Sequence, residues 1–492
     1  MVGFAELQGR LADALATNRP GSQDEHVVVG LPSYSLGPSI LEHYRPLLGA
    51  LEHRFLLAML MLPRIPGEEF ILVTSQPPGE TLLDYYARLA DPADPGAVRR
   101  RLHLLVVPDD SPRSVAAKLL DRPDLLGRLR DLVGDRLGHL EPWNVTEAEV
   151  AVAVAVGLPV NGTPPELWPL GFKSAGRQLF ARAGVPTPCG REGVRDAADV
   201  AEAVTQMRRL RPRLGPVVIK QDNSGYGDGN WLMSTRDEAG HRIPRDWLAE
   251  HCLDDAPEWF VRDLALGGVV EEYLSGRRTA SPSAQLEIAP GGDVHLLSTH
   301  EQIVGGPGGQ TFVGCRFPAD PAYSAELGRH ALAVGKQFAA AGAIGRLAVD
   351  FIAVHQGGRW QVYALEVNLR KGGTTHPYAV LRNLTPGHYD PIGVGWIADQ
   401  DGQPRCYYSA DGLQDPQWVG LTPAQVIAAV EAADLSFDRG SGTGVVLHML
   451  GGLAVDGRMG LVAIGRDPAE ADNLAAATEA AVRALTPGRS TG

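Results

Sequence analysis

The chain has 492 residues, 44% hydrophobic and 21% charged, a globular composition long enough for two to four packed units. Its net charge of −13 disfavours nucleic acid or an acidic membrane as a general partner, because both demand neutralisation of phosphates, but it allows a local basic pocket for one small anion. Cys189, Cys252, Cys315 and Cys406 lie far apart without Cys-x-x-Cys spacing, which argues against structural zinc and a disulfide framework.

In chain order, residues 1–20 carry Glu6 and Asp13 and lack the layout of a signal peptide. No apolar run is read as approaching the roughly 18 residues that span a bilayer, so a cytoplasmic protein is expected. Residues 26–31, 70–74 and 102–107 read as buried strands, with helical apolar periodicity over 40–62 and 82–89 between them. Strands alternating with helices suggest an open α/β layer, ending near the loop-forming Asn161-Gly-Thr-Pro-Pro165. A helix is expected over 173–183. A short strand over 217–220 runs into the glycine-rich Ser224-Gly-Tyr-Gly-Asp-Gly-Asn230, and another strand covers 269–274. Segments 347–355 and 360–368 form a hairpin around Gln356-Gly-Gly-Arg359. A last α/β portion starts near 396, with a helix over 423–433 and strands over 445–450 and 460–464. No internal repeat is evident.

The hairpin carries the strongest chemical signal. Side chains alternate along a strand, so Glu366 and Asn368 share a face, and a turn centred near Gly358 sets Asp350 opposite Glu366. Like charges directly opposite one another are destabilising unless a cation lies between them, and an Asp/Glu/Asn oxygen set suits Mg²⁺ or Mn²⁺ rather than zinc. Two unrelated acids on a solvated sheet face are the alternative. The second signal is Val217-Val-Ile-Lys220 followed by Gly225, Gly227 and Gly229. A lysine at a strand end reaches a phosphate as a point charge, and glycines let backbone N–H groups approach it. Only five of the 45 basic residues are lysine, and Lys173, Lys220 and Lys371 fall in these motifs. A mobile turn is the alternative for the glycines. The pattern is neither a Rossmann nor a Walker fingerprint.

This order of a strand lysine, glycine flap, Val270-Glu271-Glu272-Tyr273-Leu274 and Asp350…Glu366-x-Asn368 resembles the ATP-grasp superfamily. A closer resemblance is to the pheganomycin-type peptide ligases. It is carried by Leu170-Gly-Phe-Lys173-Ser-Ala-Gly-Arg177, Ser281-Pro-Ser-Ala-Gln285, Thr299-His-Glu-Gln302, Gly314-Cys-Arg-Phe-Pro318, the run from Glu366 to Pro377, and Gly444-Val-Val-Leu-His448. The resemblance implies a fold of both α/β and α+β character in three parts. These are an N-terminal open α/β pre-ATP-grasp domain (1–165), a two-lobed ATP-grasp core (166–395) and a small C-terminal α+β domain (396–492).

It further implies that Lys173 and Lys220 bracket the ATP phosphates under Gly225, Gly227 and Gly229. Glu271, Glu272, Tyr273 and Leu274 form the adenine hinge, Asp350, Glu366 and Asn368 bind Mg²⁺ or Mn²⁺, and Arg370 holds a carboxylate or the transferring phosphoryl group. The ribose contact is unassigned, because Gly276-Arg-Arg278 stands where many members have Gly-Arg-Glu. The implied activity is ATP-dependent joining of a small-molecule carboxylate to an amino-acid or peptide amine through an acylphosphate, without nucleic acid or membrane, and compatible with a homodimer. A phosphotransferase that stops at a phosphorylated product, and a nucleotide-binding regulatory protein without turnover, are the rival readings. His376 is read as a substrate contact or a loop cap, His448 as a core residue, and the loop 305–309 as bordering the acceptor site.

Overall fold

The computed structural model describes residues 3–35, 38–223, 229–305, 311–390 and 395–486. In the N-terminal part, β1 (His26–Leu31), β2 (Glu68–Thr74), β3 (Leu102–Val106) and β4 (Leu137–Pro142) form a parallel sheet in the order β3-β2-β1-β4. β1 is buried along its whole length, as its unbroken apolar run requires in a sheet covered on both faces.

The stretch 40–64 departs from the expected regular helix. It is a chain of short pieces, Pro38–Tyr44, Arg45–Leu47, Leu48–Glu52 and His53–Arg64, of which the last has 3₁₀ geometry and contains Pro63. Proline removes a backbone donor and breaks the α-helical ladder. By length and composition alone Ile40–Arg64 is long and apolar enough for a bilayer span, its most apolar 18-residue window having a mean hydropathy of 1.2, which corrects the sequence expectation. Over half of that window is buried, with Leu56, Met59 and Leu60 in a core cluster beside Phe70 and Tyr86.

A small antiparallel sheet follows, built from β5 (Gly190–Glu192), β6 (Val217–Gln221), β7 (Asn230–Met233) and β8 (Gly268–Glu272) in the order β5-β8-β6-β7. The remaining strands are β9 (Arg278–Ala280), β10 (Pro282–Ile288), β11 (Val294–Gly305), β12 (Thr311–Phe317), β13 (Gly345–Gln356), β14 (Arg359–Asn368), β15 (Gly387–Asp390), β16 (Gly395–Ala398), β17 (Pro404–Gln414), β18 (Gly444–His448) and β19 (Arg458–Gly465). Among the described residues they form one 11-stranded sheet whose main path is β14-β13-β10-β11-β12-β17-β16-β15.

Pairing of β12 with β17 carries this sheet continuously past residue 396 into the C-terminal strands. Those strands also pack on the N-terminal part. Tyr86 donates to the Leu447 carbonyl (3.1 Å), and the Leu447 N–H donates to the Tyr85 hydroxyl (2.9 Å), which satisfies backbone groups of β18. Val28, Leu72, Leu447 and Val462 share one hydrophobic core.

Candidate active site

The β13–β14 hairpin sets the geometry of the site. Its turn has Gly357 and Gly358 at φ 59° and 80°, values that favour glycine and suit the tight turn of twisted strands. From this two-residue turn the register runs Gln356–Arg359 to Phe351–Ala364, then slips by one, so that Asp350 pairs with Glu366 and Ala348 with Asn368. Leu365 is the extra residue of a β-bulge. Without it, Asp350 would face Leu365 and Glu366 would point to the opposite side of the sheet. The expected Asp350–Glu366 pair is therefore present, although the bulge and not the turn count produces it.

Around this pair the sheet supplies polar partners. Asn368 Nδ2 donates to Asp350 Oδ2 (2.8 Å), and Gln302 Nε2, on β11, donates to Asp350 Oδ1 (2.8 Å). Lys173, at the start of the helix Lys173–Arg182, lies with Nζ 3.3 Å from Glu366 Oε2. Glu366 keeps 34% of its side-chain surface open to the cavity, but the surrounding protein still desolvates both carboxylates strongly. Burial and the neighbouring Glu366 charge push Asp350 up to about 7. Burial opposes ionisation of Glu366 too, but Lys173, Lys220 and Arg370 outweigh it and hold that carboxyl below its usual range. The pair thus keeps one charge on Glu366, with Asp350 poised near neutrality.

Arg370 stands two residues beyond the end of β14, in the loop that follows the strand. Its guanidinium lies 4.4 Å from the centre of the Trp143 ring and donates to the Lys371 carbonyl (3.1 Å). Lys371 pairs with Glu141 (2.9 Å) and donates to the Pro142 carbonyl, tying this loop to the end of β4.

A second charged knot lies on the small sheet. Glu271 Oε2 is 2.5 Å from Lys220 Nζ and Oε1 is 2.5 Å from Arg177 Nη1, and Arg177 also meets Glu192 at 2.6 Å. Burial opposes charge on Glu271, but the two cations prevail and its carboxyl is held low. Glu271 is thus a buried electrostatic bridge. Along the expected hinge, the Glu272 N–H donates to the Cys189 carbonyl (2.7 Å) and the Tyr273 N–H to the Pro216 carbonyl (2.9 Å). Gly229 is buried and its carbonyl accepts from the Gln221 N–H (3.0 Å), while Gly225, Gly227 and most of the loop 305–309 lie outside the described residues.

Two cavities meet at the hairpin. One, of about 490 Å³, is lined by Lys173, Asp222 and Asn223, and the other, of about 560 Å³, by Asp350, Gln302, Trp143 and Arg54; Glu366, Asn368 and Arg370 line both. At the β17 end of the larger one, Asp411 pairs with Arg54 (2.9 Å) and His376 (3.0 Å). His448, fully buried, stacks edge-on against His376 at 4.6 Å. His376 therefore stands at the start of the helix Thr375–Leu384 against Asp411, where burial favours its neutral form despite the carboxylate, and His448 is a core residue as expected. Sequence reasoning gave no role to Gln302, Arg177 or Trp143. The first two sat inside recognised stretches, but their partners are 48 and 94 residues away.

Comparison with known proteins agrees with this architecture. Residues 250–391 match the family described as IQCH-like, ATP-grasp, and residues 425–478 match the PGM1 C-terminal domain. The chain is 31% identical, over 85% of its length and 86% of the relative's, to an L-propargylglycine–L-glutamate ligase of Streptantibioticus cattleyicolor. It is 22% identical to IQ motif-containing protein H of Danio rerio, over 61% of this chain and 33% of that one. Among solved structures, biotin carboxylase from Campylobacter jejuni superposes with a TM-score of 0.56 at 14% identity, covering 94% of this chain and 95% of that chain. An N5-carboxyaminoimidazole ribonucleotide synthetase superposes with a TM-score of 0.53 at 12% identity, covering 95% and 98%. By its identity to the L-propargylglycine–L-glutamate ligase over most of both chains, with the ATP-grasp and C-terminal family matches, the chain belongs to the ATP-grasp carboxylate–amine ligases, in the branch of the pheganomycin-type peptide ligases.

Proposed function

We propose that the protein phosphorylates a substrate carboxylate with ATP and transfers the resulting acyl group to an amino-acid or peptide amine, as a step in natural-product biosynthesis. The observation that carries this reading is the meeting of the two cavities on Glu366, Asn368 and Arg370. A nucleotide triphosphate entering along Lys173 and a carboxylate entering along Arg54 and Trp143 would come together there.

A carboxylate does not condense with an amine at neutral pH, because hydroxide is a poor leaving group. In the proposed first step a carboxylate oxygen bonds to the γ-phosphorus and the bond to ADP breaks. The amine then attacks the acyl carbon, and phosphate leaves with that oxygen while the nitrogen loses a proton. Catalysis of this kind rests on positioning and charge neutralisation. Arg370, seated over the Trp143 ring, has the fork geometry to hold the carboxylate or the moving phosphoryl group. Lys173 and Lys220 contribute positive charge beside Glu366. Leu274 follows two hinge residues whose N–H groups are engaged, so its own N–H is the donor assigned to adenine in this proposal.

Asp350, Glu366 and Asn368 fit Mg²⁺ or Mn²⁺. They offer oxygen donors on one face, and burial and the Glu366 charge raise Asp350, a penalty that a divalent cation would relieve. A cation bound there would neutralise phosphate charge. The chain is divided as 1–165, 166–395 and 396–492 in this reading, and a cytoplasmic location belongs to the same proposal.

Incubation with Mg-ATP, pooled amino acids and hydroxylamine tests the reading. An acid-dependent hydroxamate and ADP are expected, and Glu366→Gln should remove both. ADP release with a stable phosphorylated product and no hydroxamate would instead establish a phosphotransferase.

A further inference from the structure

A third cavity, of about 670 Å³, runs along the helix Thr375–Leu384 between the N-terminal sheet and the large sheet. It meets the carboxylate cavity at Tyr34, Arg54, Trp143 and Gly372, which line both, but Asp350, Glu366 and Asn368 are not among its walls. Arg346 and Arg382 line it as well. Arg346 has Glu287 at 3.4 Å. Arg382 has no carboxylate within ion-pair distance among the described residues, and its buried Nε has no hydrogen-bond partner among them. Behind the wall, Arg64 donates to the Arg382 carbonyl (2.7 Å).

An arginine cannot shed its proton in a protein, so a guanidinium buried without a partner is costly until an anion reaches it. Of the acids that line the cavity, Glu287 offsets the Arg382 charge only from beyond ion-pair distance and is already paired with Arg346. Glu141 is taken by Lys371, and burial raises Glu68 to about 8, which leaves it neutral at physiological pH.

We propose that this third cavity seats the amine-bearing acceptor, and that Arg382 and Arg346 hold a carboxylate at the acceptor's far end. The proposal rests on the ligase reading above, which gives the middle cavity to the acid being activated and leaves the amine to arrive through the neck at Trp143 and Gly372. The helix also sets a length. Thr375 and Arg382 are seven residues apart, about 10 Å at the helical rise, and an extended peptide covers that span in about three residues. The acceptor is therefore a short peptide with a free C-terminal carboxylate, its amine near Gly372 and its carboxylate at the arginines.

The test uses the full-length enzyme, the acid identified by hydroxylamine trapping, and two tripeptide pools of equal composition, one with free C-termini and one amidated. Ligated products are read by mass spectrometry. The free-acid pool should be used with a kcat/KM about ten- to a hundredfold higher than the amidated pool. Arg382→Met should abolish that preference through the acceptor KM, with the KM for ATP holding within about twofold. Equal use of both pools by the wild-type enzyme would overturn the proposal, and that comparison needs no variant to fold. Preference for single amino acids over tripeptides would overturn the assigned length. Absence of any hydroxamate in the wild-type enzyme would instead be a failure of the ligase reading.

Discussion

Replacing Glu271 by glutamine removes one negative charge and leaves the shape almost unchanged. The side chain is 3% exposed and joins Lys220 and Arg177, each at 2.5 Å. With an effective dielectric near 20, each contact is worth about 6 kcal/mol of Coulomb attraction before desolvation is subtracted. Arg177 retains Glu192 at 2.6 Å, whereas Lys220 has no second ion-pair partner among the described residues. The loss falls mainly on one stranded ammonium, so Glu271→Gln should cost about 3–5 kcal/mol. Urea unfolding measures this as a lower midpoint at an unchanged slope. The double variant Glu271→Gln/Lys220→Met buries no unmatched charge and should recover at least about 1 kcal/mol relative to the single. If Lys220 serves the nucleotide, the single variant should also raise the KM for ATP by about tenfold. A single-variant loss below about 1 kcal/mol, or a double variant no better than the single, would refute this account of the bridge.

Three further outcomes are expected. Trp143→Ala removes the ring under Arg370 and should lower kcat/KM by about three- to thirtyfold, measured by ADP release. Gln302→Leu deletes the amide that orients Asp350, so the Mg²⁺ concentration for half-maximal rate should rise about tenfold at saturating ATP. Burial raises Glu68 from 4.5 to about 8, so the folded state keeps a proton that the unfolded chain has released. Stability from this group is then lost as pH rises through that window, and Glu68→Gln should be more stable than wild type by up to about 4 kcal/mol at pH 8, with the gain shrinking towards pH 4.5.

Much of this arrangement was legible in the sequence because it is local. Unbroken apolar runs mark β1 and β2, and paired glycines mark the turn between β13 and β14. Counting from the turn gives the Asp350–Glu366 pairing, but the count has no place for the bulge at Leu365 that makes it. The slip leaves little mark in the hydrophobic periodicity, because it amounts to one apolar residue, Leu365, set beside another, Ala364. Gln302 and Trp143 were invisible as site residues for another reason. β11 reaches β13 only across β10, and Trp143 follows a strand of a different sheet. The segment 40–64 kept an apolar periodicity that suggested one helix, whereas Pro46 and Pro63 divide its hydrogen bonding. Glu271 enters the sequence reading only as part of the hinge, and its two cations come from a neighbouring strand and a distant helix.

The central claim is that the bound carboxylate itself takes the γ-phosphoryl group at the Glu366–Asn368–Arg370 junction. Isotope transfer tests it most directly. With the acid labelled with oxygen-18 in both carboxylate positions, each turnover should place one labelled oxygen in the released phosphate, seen by phosphorus NMR or mass spectrometry. Amide formation with phosphate entirely unlabelled would contradict the account.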